Sequence, residues 1–216
     1  MTLSPLDSPA ARLALPAFLI AYFLLAFALR SWWVWRRTGI NPLVLPKSDD
    51  AAGYVARGFR LCILASALIA AAVAAGPAGT RLLGIIDAVP TALVPLGWAL
   101  LVGALGLIVL AQAQMGAAWR IGIDTERRTS LVTHGLFGWS RNPIFLGMRL
   151  ILVGLVLLVP AAATLALLAA AEVLIQVQVR LEEAHLSALH GERYAAYRAR
   201  VARWFGRRPL SRRVAS

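Results

Sequence analysis

The sequence predicts an all-α integral membrane protein. Five transmembrane helices are expected, the last two a helical hairpin, followed by a cytoplasmic amphipathic C-terminal helix. Three observations predict it. Of the 216 residues, 60% are hydrophobic and 15% are charged, with a mean hydropathy of +0.72; a soluble domain carries about 25% charged residues. The apolar residues gather into long runs separated by short polar segments. Lys and Arg crowd into alternate segments between those runs, as the positive-inside rule requires of a membrane protein.

A spanning helix needs about 20 mainly apolar residues. The runs that approach this length are 13–33, 59–75, 92–113, 144–159 and 161–179. The first ends in Ala26-Phe27-Ala28, which resembles a signal-peptidase site. The segment before it carries only Arg12 against Asp7, a poor positive n-region, so it is read as a retained span. The fourth and fifth runs are divided only by Pro160, which cannot continue a helix without loss, so they are expected to form a tight hairpin of two short helices. From Leu181 onward Leu186, Leu189, Tyr194, Tyr197 and Val201 recur at roughly helical spacing opposite an Arg-rich face. That pattern fits a helix lying on anionic lipid. The chain divides into residues 1–115, with the first three helices and their loops, and residues 116–216, with the hairpin and the C-terminal helix. Both parts belong to one membrane domain.

The net charge is +12. In a soluble chain this would suggest nucleic acid. Here the cations follow the membrane boundaries, so no nucleic-acid partner is expected. Arg36, Arg37, Lys47 and Arg57 lie in the first loop, Arg81 alone in the second, and Arg120, Arg127, Arg128 and Arg141 in the third. The Pro160 turn has none, and the tail carries Arg193, Arg198, Arg200, Arg203, Arg207, Arg208, Arg212 and Arg213. This places the N-terminus outside and the C-terminus in the cytoplasm of a bacterial-type inner membrane crossed several times. Trp32, Trp33, Trp35, Trp119, Trp139 and Trp204 fall near the same boundaries, as an interfacial belt does. The single cysteine, Cys62, excludes an internal disulfide. With no Cys or His cluster, no metal site is expected.

The polar segment between the third and fourth runs is dense in turn-forming and aromatic residues. Asn142 is a strong N-cap type and Pro143 a favoured first helical residue. They either simply start the fourth helix, or also present free backbone N–H groups and a positive dipole end to an anion; the two are compatible. Arg141 is either a charged anchor at the membrane edge or part of the same site. Glu182 and Glu183 meet the unfavourable negative end of the fifth helix, so they require solvent or a partner. Either they are solvated or they bind a cationic group. Glu172 lies deeper, with Gln176 one turn away, and Gln178 and Glu182 form a neighbouring i, i+4 pair. An ionisable group inside a span is a functional candidate, with interhelical hydrogen bonding as the alternative. Trp119 and Arg120 close the third helix as an interfacial pair. His134 stands alone, and His185 and His190 do not align on one helical face.

Taken in order, these pieces resemble the isoprenylcysteine carboxyl methyltransferase family and, more loosely, the wider membrane phospholipid methyltransferases. The family shares a Leu-Val-Thr-x-Gly-x-Tyr turn, an Arg-His-Pro-x-Tyr-x-Gly helix start, an apolar hairpin, a Glu-Glu pair and Gly-x-x-Tyr-x-x-Tyr. This chain supplies residues 131–137, 141–147, Glu182-Glu183 and 191–197, a similarity spanning about residues 116–203. Asn142 stands for the family's usual His, and Phe137 and Phe145 stand for usual tyrosines. Gln178 occupies the place of an Arg that contacts substrate in the eukaryotic enzymes. The resemblance implies S-adenosylmethionine as methyl donor. Its ammonium would meet Glu182, and its carboxylate the N–H groups around Asn142, Pro143 and Ile144. Its adenine would lie among Leu131, Val132, Phe137 and Phe145, with Gly122, Thr129 and Ser130 also lining the site. Gln178 and Arg141 take the catalytic positions, and Gln178 with Glu172 the acceptor side. The acceptor would be a lipophilic carboxylate or thiol entering sideways from the bilayer, with membrane lipids as the surrounding partner.

Two rivals stand beside this. Within enzymes, the acceptor could be a phospholipid amine or a small thiol. Outside enzymes, a transporter or membrane scaffold is possible, but transporters place polar groups near the midplane of paired repeats. Here they concentrate at one membrane face, in one half of the chain.

Overall fold

In this computed structural model the described residues are 9–44, 49–86, 90–122 and 130–207. Helix α1 (Pro9–Phe23) runs through a π-helical segment (Leu24–Leu29) into α2 (Arg30–Thr38), making one rod. Helices α3 (Ala51–Ala74) and α4 (Pro77–Arg81) follow, then α5 (Val94–Met115). The hairpin is α6 (Pro143–Leu158) and α7 (Ala162–His190), and α8 (Glu192–Arg200) ends the helical part. Among the described residues the β structure is limited to isolated bridges.

Four helical stretches are long and apolar enough to cross a membrane, and α6 is a shorter apolar helix. The expected all-helical membrane protein is therefore what the chain forms. Its outer surface agrees: Leu61, Leu64 and Leu68 on α3, Val102 and Leu110 on α5 and Val173 on α7 are exposed. Apolar side chains in such numbers face lipid, not water.

The π segment has a local reason. In π geometry the backbone pattern loosens, and the buried Gln112 side chain of α5 donates to the Ala26 carbonyl at 2.8 Å. Arg30, just beyond, donates to the carbonyls of Gln112 and Gly116, both at 2.6 Å. A cation thereby satisfies the end of α5, where carbonyls lack partners and the dipole is negative. The Arg30 guanidinium also lies over the Trp33 ring at 4.5 Å.

Helices α5 and α6 pack through small residues. A Cβ on Gly154 would lie 2.9 Å from the Gly97 carbonyl oxygen, and one on Gly147 would lie 3.2 Å from the Ala104 carbonyl. With no water to expel between lipid-facing helices, this close approach supplies the contact energy. Gly58 of α3 meets Leu174 of α7 in the same way.

The hairpin turns at Val159, Pro160 and Ala161. The Thr164 hydroxyl accepts from the Ala161 N–H at 3.2 Å and donates to the Val159 carbonyl at 2.6 Å. The segment after α4 laces this turn: Ile86 N–H donates to the Pro160 carbonyl, and Ala162 N–H to the Gly84 carbonyl.

Several boundaries differ from expectation: the first rod runs on to Thr38 and α3 begins at Ala51, where the Asp50 side chain accepts from the Gly53 N–H at 2.8 Å. Helix α7 does not stop near Val179 but continues unbroken for 29 residues to His190. At 1.5 Å per residue that is about 43 Å, longer than the roughly 30 Å hydrocarbon layer. The helix ends where Gly191 takes φ +51°, a left-handed conformation that costs a side-chain-bearing residue. The expected separate helix from Leu181 is thus the last turns of α7 plus the short α8. Tyr194, Tyr197 and Val201 then form a buried cluster with Leu131 and Leu186.

Candidate active site

The polar residues converge where the start of α6, the end of α7 and the tail after α8 meet. The approach to α6 is a 3₁₀ turn, Gly135–Gly138. Gly135 has φ +59°, and a Cβ there would lie 2.6 Å from the Gln114 side chain. Gln114 in turn accepts from the Leu136 N–H at 2.8 Å. The Tyr197 hydroxyl donates to the Phe137 carbonyl at 2.7 Å, tying α8 to this turn.

Arg141 is buried. Its guanidinium donates to Glu183 Oε1 at 2.9 Å and to the carbonyls of Arg198 and Val201, both at 3.1 Å. Arg203 meets the same carboxylate twice, through Nε at 3.1 Å and a terminal nitrogen at 2.8 Å. Two guanidiniums thus clasp one carboxylate, with the bidentate geometry that Arg alone provides. The clasp ties α6, α7 and the tail together. Burial pushes the Tyr194 phenol beside it up to about 12, and the negative Glu183 adds to that rise.

Asn142 sits at the N-cap position of α6, but its side chain does not cap. It donates to the Arg203 carbonyl at 3.2 Å and reaches Glu183 Oε1 at 3.4 Å. Pro143 has no N–H. The first-turn N–H groups of Ile144 and Phe145 are therefore left without a side-chain cap at the positive end of the helix.

The two adjacent acids have separate surroundings. Glu183 is the one that meets Asn142, whereas Glu182 accepts from the Gln178 side chain at 2.9 Å. Among the described residues Glu182 has no cationic partner. Gln178 is buried on α7. Leu131 packs on Tyr194, Tyr197 and Val201, and Phe137 is buried. Val132, Ile144 and Phe145 are half-buried, Gly122 is half-buried and Ser130 exposed. Thr129 lies outside the described residues. No group of His, Cys, Asp and Glu suited to a metal occurs among the described residues.

A second ion pair lies deeper in the hairpin. Arg149 Nε donates to Glu172 Oε2 at 2.7 Å, and Gln176 donates to Glu172 Oε1 at 2.7 Å. Arg149 also lies over the Trp204 ring at 4.3 Å. Arg141 with Glu183 and Arg149 with Glu172 are two rungs of one antiparallel register set by the Pro160 turn. Glu172 and Gln176 stand out in the sequence as site candidates, whereas Arg149 and Arg203 do not. Arg203 is hidden among the tail's arginines. Arg149 had a signal: it lies 11 residues before Pro160, and Glu172 lies 12 after it.

Fold and site together define an all-α membrane protein whose polar chemistry is gathered at one end of a helical hairpin. Residues 93–193 match the family described as phospholipid methyltransferase. The matched segment runs from just before α5 into α8 and carries Arg141, Asn142, Glu182 and Glu183, so this part of the chain is similar to the phospholipid methyltransferases. No curated protein and no solved structure matches the chain.

Proposed function

We propose that the chain transfers a methyl group from S-adenosylmethionine to a lipophilic acceptor, in the manner of an isoprenylcysteine carboxyl methyltransferase. What supports this is an uncapped start of α6 together with Glu182, which adjoins the carboxylate that meets Asn142 and has no cationic partner among the described residues. The free N–H groups of Ile144 and Phe145 suit the cofactor's carboxylate, and Glu182 suits its ammonium. Leu131, Val132, Phe137 and Phe145 supply apolar surface for the adenine, with Gly122, Thr129 and Ser130 at its edge. The cofactor would supply an electrophilic methyl on a sulfonium. The residues around it bind, orient and exclude water, which is where most of the acceleration of an in-line displacement arises. Gln178 offers hydrogen bonds but no charge, and stands with Glu172 on the acceptor side. Arg141 positions the start of α6 through its bond to Glu183. No general base is required if the acceptor is a carboxylate or thiolate.

The distribution of Lys and Arg supports an N-terminus outside and a C-terminus in the cytoplasm of a bacterial-type inner membrane, with the cofactor entering from the cytoplasm. The test is titration calorimetry of folded, detergent-purified protein with S-adenosylmethionine. Binding is expected, and Glu182→Ala should weaken it by about tenfold or more, the scale of a lost charged hydrogen bond. Absence of binding in the parent protein refutes the proposal. A second acceptor class is supported by the family description itself: a phospholipid amine. Transfer of labelled methyl groups into lipid extracts separates the two, because methyl esters are released by base and methylated amines are not.

A further inference from the structure

An Arg–Glu pair between two helices could serve only to hold a hairpin. The outer rung fits that role: Arg141 and Glu183 side chains are 4% and 9% exposed. The inner rung differs. Arg149 and Glu172 side chains are 30% and 31% exposed, although both lie in apolar helices. Nε of Arg149 is taken by Glu172 and one face of the guanidinium is covered by Trp204. The plane is therefore fixed, and among the described residues neither terminal nitrogen is hydrogen-bonded. A fixed planar fork with two free N–H edges is complementary to an oxyanion.

Its charge balance points the same way. Glu172 is held by Gln176, and Gln176 Oε1 accepts from Arg180 at 2.9 Å. Arg149 meets the Glu172 carboxylate directly and Arg180 joins only through Gln176, so the network holds two cations and one anion. Exposed apolar side chains flank the pair on both helices: Val153, one turn along α6 from Arg149, and Val173 and Val177, each next to a network residue on α7. Arg149 lies eight residues after Arg141, and both reach carboxylates of α7. Arg203 and Trp204 are consecutive, so the tail segment that closes the outer rung also backs the inner one.

We propose that Arg149 anchors the acceptor, binding a phosphate or carboxylate carried on a lipid whose chain lies against Val153 and Val173. This rests on the methyltransferase function above and adds the residue and the charge class that select its acceptor. Glu172 and Trp204 position the guanidinium; they do not themselves hold the anion.

Native mass spectrometry of the full chain in detergent tests it, with dioleoyl phosphatidic acid, oleate and dioleoylglycerol as probes. The parent protein is expected to retain phosphatidic acid or oleate at least ~10-fold over dioleoylglycerol, the scale of a charged hydrogen bond. The preferred anion distinguishes phosphate from carboxylate. The double variant Arg149→Gln with Glu172→Gln, which leaves no stranded charge, should lose that preference while S-adenosylmethionine affinity is unchanged. Arg149→Lys keeps a cation against Glu172 but removes the planar fork, and should lose most of the preference if the double variant does not fold. No anion preference in the parent, or a preference that survives Arg149→Lys and the double variant, overturns the proposal. Because the cofactor titration is read separately, a failed cofactor site and a failed lipid anchor give different results.

Discussion

Glu182 and Glu183 are neighbours of identical chemistry, and the structure assigns them unequal consequences when removed. Glu183→Ala strips the carboxylate from two guanidiniums. Arg141 is then left as a cation whose side chain is 4% exposed, held only by carbonyls, while Arg203, 33% exposed, rehydrates. Breaking a buried pair from one side costs about 3–5 kcal/mol, and the accessible Arg203 argues for the lower end. At roughly 2–4 °C per kcal/mol for a chain of this length, the melting temperature should fall by about 6–12 °C. Glu182→Ala removes one hydrogen bond from Gln178. That is worth about 1 kcal/mol, roughly 3 °C. The assay is thermal unfolding in detergent followed by intrinsic tryptophan fluorescence, both variants measured beside the parent. Equal losses, or a Glu183→Ala protein that melts within about 2 °C of the parent, refute the assignment of Glu183 to the clasp.

Three further outcomes follow from the geometry. Gly154→Val pushes side-chain atoms into the Gly97 backbone and should cost about 1–3 kcal/mol in thermal unfolding, whereas Gly106→Ala, with nothing within 4 Å of its Cβ, should be neutral or slightly stabilising. The Tyr194 phenol is raised from 10.0 to about 12 in the folded chain, so the folded state favours its neutral form; stability should hold below pH 10 and fall between about pH 10 and 12. Tyr194→Phe should lessen that alkaline loss, as read by unfolding at stepped pH.

The hairpin was legible because Pro160 interrupts an otherwise continuous apolar run, and apolar length located the four helices long enough to span and the shorter α6. What failed was the end of α7. The apolar count stops near Val179, but helix formation does not depend on apolarity, and nothing breaks the backbone before Gly191. The site was legible in its ingredients and not in its pairings. Asn142 was placed correctly at the start of α6, but its amide bonds to the tail instead of capping. Two adjacent residues on a helix point about 100° apart, so which of Glu182 and Glu183 faces α6 follows from the rotation of α7 against α6. That rotation is a tertiary quantity. The same ignorance hid Arg149, whose partner is visible only when the two strands of the hairpin are laid side by side.

That alignment makes the Pro160 turn a gauge block for chemistry at the opposite end of the bundle. Both Arg–Glu rungs take their spacing from it. One residue inserted in α7 between Ala162 and Glu172 would rotate both carboxylates by about 100° and slide them by about 1.5 Å relative to α6. Both rungs would lose alignment in the same stroke. The lacing of the turn by Leu83, Gly84 and Ile86 therefore calibrates a site it never touches. The number of helical residues between the turn and each rung is what variants of this protein must keep.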